Sequence, residues 1–153
     1  MTSITFLASS KPFMLPPEIE AYNRKIIFEK EEDHLFFAVE KADEFWCKTI
    51  QPLFSMPYIY EAEGIGNRLF LLYLERYMEY GEVIEICHIP NQHAYLNYID
   101  KFKENPTTIE VNTVRFTYRD ASGCYQLNSR TWIEELSHRN YNSPHSVTRF
   151  VKF

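Results

Sequence analysis

Residues 67–103 read NRLFLLYLERYMEYGEVIEICHIPNQHAYLNYIDKFK, and how the apolar positions repeat along this stretch decides the fold. Phe70, Leu74, Tyr77 and Met78 recur at helical spacing while Arg68, Glu75, Arg76 and Glu79 lie mostly off that stripe, which predicts a helix over 67–80. Asn67 suits the N-cap, and Gly81 suits the residue just past the end. Val83 to Ile89 is short, β-branched and closed by Pro90, the pattern of a central or half-buried strand. Asn91 then caps a second helix through Lys103, with Tyr95, Tyr98, Ile99 and Phe102 as its stripe and Asn105-Pro106 as its stop.

Working outward, Ser3 to Ala8 predicts a buried first strand, ended by the turn chemistry of Ser9-Ser10-Lys11-Pro12. Pro17 opens a short helix to about Asn23. Ile26 to Phe28 and Leu35 to Val39 predict a hairpin around a charged tip. Asp43 caps a helix to about Thr49 that Pro52 stops, and Tyr58 to Ala62 is a strand. Thr107 to Val111 and Val114 to Tyr118 carry apolar residues on positions of opposite parity, so a bulge or turn is required at Asn112-Thr113. Asp120-Ala121-Ser122-Gly123 turns the chain into a strand from Cys124 to Leu127. Thr131 and Glu134 have the spacing of a capping box for a helix to about Arg139, and Val147 to Phe153 is the last strand. The order implies an α+β fold: one domain over residues 1–153, a mixed but largely antiparallel sheet with helices mainly on one face, and any parallel pairing from a crossing through 58–89.

The chain has 153 residues, 45% hydrophobic and 24% charged, which suits one domain that folds alone. Aromatic residues reach 16%, so the core is built on rings. With only 4 glycines there is little material for a glycine-rich phosphate loop. The net charge of −5 is uneven: residues 1–104 carry 17 acids and 10 bases, residues 105–153 carry 4 acids and 6 bases. An acidic body argues against binding nucleic acid through its phosphates, leaving a local basic patch near the C-terminus. Three cysteines at wide spacing indicate neither a disulfide framework nor a zinc knuckle. The N-terminal residues lack the basic start of a secretory signal, and no apolar run approaches the ~20 residues that span a bilayer. A cytoplasmic protein is expected.

Several residues have the chemistry for a site. Cys87 and His88 pair a thiol with an imidazole, but neighbours on a strand point to opposite faces, and Cys87 with His93 is the alternative. Ser9, Ser10 and Lys11 sit where strand ends gather ligands on backbone N–H groups and a lysine. Glu61 and Glu63 share a strand face, with Glu85 on a strand that lies beside them if the sheet is so ordered. The five histidines lack the spacing of a metal pair, and no cofactor motif is present. Tyr125, Trp132, His138, Arg139, Tyr141, His145 and Arg149 combine rings with bases, a mixture suited to single-strand stacking or to the centre of a protein interface. Ser137 to Val147 is the expected binding surface.

No motif specifies a reaction, so the expected function is a non-enzymatic binding or regulatory module with a protein partner or a second copy. The alternatives are an enzyme on a small molecule, working near Ser10 and Lys11 or Cys87 and His93, and a single-strand nucleic-acid binder through the C-terminal segment.

Overall fold

The computed structural model describes residues 4–24, 36–89, 95–104, 107–139, 141 and 146–153. Strand β1 (Ile4–Ser9) is flanked on both sides by antiparallel partners, β3 (Tyr58–Glu63) and β4 (Val83–Ile89). β2 (Ala38–Lys41) lies outside β3; β8 (Ser146–Val151) lies beyond β4, followed by β5 (Thr107–Asn112), β6 (Thr117–Asp120) and β7 (Gly123–Gln126). The order β2-β3-β1-β4-β8-β5-β6-β7 makes one eight-stranded sheet. Every neighbouring pair is antiparallel except β5 with β8. The architecture is α+β with a mixed, largely antiparallel sheet. The parallel pair is not the one expected from 58–89: β3 and β4 run in the same direction but β1 separates them, so neither bonds the other.

Side-chain alternation gives the sheet two buried faces. On the larger, Leu7, Ile84, Ile86 and Phe150 meet Ile19 of α1 (Pro17–Arg24), Phe70 and Leu74 of α3 (Arg68–Arg76), and Trp132 and Leu136 of α5 (Trp132–Ser137). On the other, Phe6, Cys87 and Val147 lie under Ile50 of α2 (Glu44–Ile50), Leu53 of a 3₁₀ turn (Gln51–Leu53) and Ile99 of α4 (Tyr95–Glu104). The rings interlock on the larger face, where Phe37 packs on Phe70 with centroids 5.2 Å apart and Phe70 on Phe150 at 5.3 Å.

Asp43 caps α2 through Trp46 N–H, and Asn67 caps α3 through Leu69 N–H, as the sequence predicts. α3 stops at Arg76, not Tyr80. Met78 extends the apolar stripe because it is buried, not because it is helical. The capping box at Thr131 does not form; Glu135 instead accepts from Asn128 N–H at 2.7 Å. The parity change after β5 is resolved by a turn over 113–116 in which Asn112 Oδ1 accepts from Val114 and Arg115 N–H, each at 2.9 Å. β6 therefore begins at Thr117, and β2 at Ala38 pairs with β3. The other arm of the expected hairpin, Ile26 to Phe28, lies outside the described residues, as does the expected cap at Asn91.

Candidate functional site

The end of β1 is occupied by contacts within the chain. Ser10 and Val83 exchange backbone and side-chain bonds: Ser10 N–H donates to Val83 C=O at 3.0 Å, and Val83 N–H donates to Ser10 Oγ at 3.0 Å. Lys11 Nζ donates to Glu79 at 2.5 Å, a bond that raises the lysine pKa and lowers that of the carboxyl. Cys87 is 1% exposed on the α2 and α4 face. His88, on the other face, is bonded to Thr5 Oγ1 at 3.0 Å, and burial lowers its pKa. The thiol and imidazole therefore point apart, as their strand positions require. His93 lies outside the described residues.

The three glutamates do not meet. Glu85 lies on β4, with β1 between it and the strand of Glu61 and Glu63. Glu85 is 2% exposed yet fully bonded: its carboxylate accepts from Ser55 N–H at 2.8 Å, Met56 N–H at 3.0 Å, Ser55 Oγ at 3.0 Å and Arg149 Nη2 at 3.0 Å. Register places Glu85, Arg149, Glu110 and Arg119 in one row across β4, β8, β5 and β6, with Cys124 next on β7. Signs alternate along that row. Glu61 and Glu63 instead line a cleft of about 310 Å³ with Glu40, where burial, then Asp43, Glu40 and Glu63, raise the Glu61 pKa. A cleft of about 380 Å³ lies at β3 between Lys41, Cys47, Gln51 and Tyr58, and contains none of the residues singled out from sequence.

The C-terminal set divides. Trp132 and Tyr141 are core residues, 3% and 2% exposed, and Tyr141 Oη donates to Ile65 C=O at 2.6 Å. Arg149 belongs to the Glu85 network on the opposite face. His138 is exposed at the end of α5, and His145 lies outside the described residues. Arg139 is the member presented at the surface with rings around it. Its guanidinium carbon lies 4.8 Å from the ring centroids of both Tyr118 and Tyr125.

The Asp120–Gly123 turn builds this arrangement. With Ala121 and Ser122 as the loop, β6 and β7 pair so that Tyr118 faces Tyr125, their centroids 6.3 Å apart. Tyr118 was not singled out from sequence, although counting back from the turn sets it opposite Tyr125. Burial raises the Tyr118 pKa. Comparisons with family models, curated proteins and solved structures returned no match. Arg68 and Arg119 pair with Glu134 and Glu110, whereas no carboxylate pairs with Arg139 among the described residues. Beside it, all four residues of β7 are exposed, and β7 has no outer neighbour among the described strands.

Proposed function

We propose that this chain is a non-enzymatic binding module that takes up an extended, acidic segment of a protein partner along β7, with Arg139 as its anchor. The observation that carries the reading is the guanidinium 4.8 Å from the ring centroids of both Tyr118 and Tyr125, beside an exposed outer strand. Arg and Tyr dominate the energetics of protein interfaces, and an open strand adds main-chain hydrogen bonds to whatever side-chain pairing the anchor makes. The enzyme alternatives have less support, because Ser10 and Lys11 are engaged within the fold and Cys87 is sealed in the core. A cytoplasmic setting is supported by the three cysteines, none of which is joined in a disulfide. Among the described residues no helix is long and apolar enough to cross a membrane.

The test is selection from a displayed library of strand-forming peptides. Enriched sequences are expected to share an Asp or Glu, and Arg139→Ala and Tyr125→Ala each to weaken binding about tenfold or more with the melting temperature retained. No enrichment, or binding indifferent to both substitutions, would overturn the reading. Salt-dependent binding of short single-stranded oligonucleotides in place of peptides would replace it with the nucleic-acid alternative.

A further inference from the structure

We infer that the cleft at the start of β3 is a binding site for a small carboxylate with a flat apolar body, its anion held by Lys41. The cleft lies at the opposite end of the sheet from β7, and the inference does not depend on the peptide reading.

The cleft exists because two neighbouring strands differ in length. β2 pairs with β3 from Ala38 opposite Glu63 to Lys41 opposite Tyr60 and stops there, while β3 begins two residues earlier, at Tyr58. Tyr58 and Ile59 therefore run along an edge that β2 does not cover. Beyond Lys41 the chain turns into α2 at its Asp43 cap, so the facing wall is made by Cys47 of α2 and by Gln51 just after it. The space between the walls is about 380 Å³, within the range of small-molecule sites.

The lining selects the chemistry of the occupant. Pro57, Ile59 and the Tyr58 ring give it an apolar surface, and no Asp or Glu is among the described lining residues. Three polar side chains on it, those of Lys41, Gln51 and Tyr58, make no hydrogen bond or ion pair among the described residues. Lys11, Lys48 and Lys152 are by contrast engaged, with Glu79, Glu44 and Met78 C=O. Glu40, the neighbour of Lys41, does not neutralise it from within the cleft, since alternation along β2 sends Glu40 to the other face, where it meets Glu61 and Glu63. An ammonium with an amide and a phenol as further donors suits a carboxylate. One positive charge matches a monoanion, which a doubly charged phosphate is not, and the ring and proline accept a flat apolar body.

The experiment is a titration of the whole ¹⁵N-labelled chain with benzoate, followed by amide shifts, with benzamide as the neutral analogue and phenyl phosphate as the doubly charged one. Benzoate is expected to saturate shifts at Gln51, Tyr58 and Ile59, and to bind about tenfold or more tightly than benzamide. Lys41→Met keeps the apolar stem and removes the charge, so it should weaken benzoate about tenfold while leaving benzamide unchanged. Cys47 gives an independent reading, because its half-buried thiol lines the same cleft. Saturating benzoate should slow alkylation by iodoacetamide at Cys47 and not at the exposed Cys124, as mapped by mass spectrometry. If Lys41→Met fails to fold by circular dichroism, the comparison of benzoate with benzamide on the unaltered chain decides. No saturable shift, shifts centred elsewhere, benzamide binding as well as benzoate, tighter binding of phenyl phosphate, or indifference to Lys41→Met would overturn the inference. None of these outcomes bears on peptide binding at β7, which Arg139→Ala tests separately.

Discussion

Glu85 shows how a charge survives burial. Its carboxylate is removed from water but meets two backbone N–H groups, a hydroxyl and a guanidinium, so the cost of desolvation is met by bonds to the 55–56 loop and β8. Glu85→Ala should cost about 3 to 5 kcal/mol in urea unfolding, since it leaves those donors unpaired; a loss under about 1 kcal/mol would mean that the loop finds water as readily. His88 behaves in the opposite sense. Burial disfavours its charged form, so the folded pKa lies below the ordinary 6.5. The stability this implies is whole above that value and is lost as pH falls through the lowered pKa. Urea midpoints across that range should therefore fall less steeply in His88→Gln, and parallel profiles would refute the assignment. Neither environment was legible in sequence. Arg149 was grouped with Tyr141 by nearness in the chain, yet alternation along β8 sends Arg149 to one face while Thr148, bonded to Tyr141 C=O, points to the other. Partners 30 and 64 residues away, as Ser55 and Arg149 are from Glu85, leave no local signal.

At the level of elements, the periodic pattern was informative because it records burial directly. β4 runs from Val83 to Ile89 as its β-branched sequence predicts, and α2 and α3 start at their capping residues. The pattern failed where burial outlasts the helix, as at Met78, and where capping needs an extended backbone that the residue does not have, as at Thr131 with ψ 16°. The junction of β3 and α3 turns on Gly64, at φ +82°, where an added Cβ would fall 1.6 Å from the Phe36 carbonyl oxygen. That oxygen also accepts from the Asn67 side chain at 2.9 Å, tying the cap of α3 to the entry of β2. Gly64→Ala should cost roughly 3 kcal/mol, combining left-handed strain with a backbone collision. Loss of less than about 1 kcal/mol would show that the junction can move aside.

Across the whole molecule, strand order was the part that composition and spacing could not disclose, because pairing between distant segments depends on the competition of every strand for every edge. The candidate site was only half legible: Arg139 and Tyr125 were marked by type, while their separation from Trp132 and Tyr141 followed from which rings the core required. Amide exchange should reproduce the order, with β1 and β4 the slowest and β7 among the fastest; an equally protected β7 in dilute solution would indicate a covering absent from this fold. The insertion of β8 between β4 and β5 has a consequence for biosynthesis. Translation delivers β4 and β5 well before the strand that joins them, so a nascent chain halted ahead of Ser146 carries two incomplete half-sheets, each with a bare inner edge. During that interval the polypeptide depends on chaperones or on the speed of the ribosome to keep those edges from neighbouring chains.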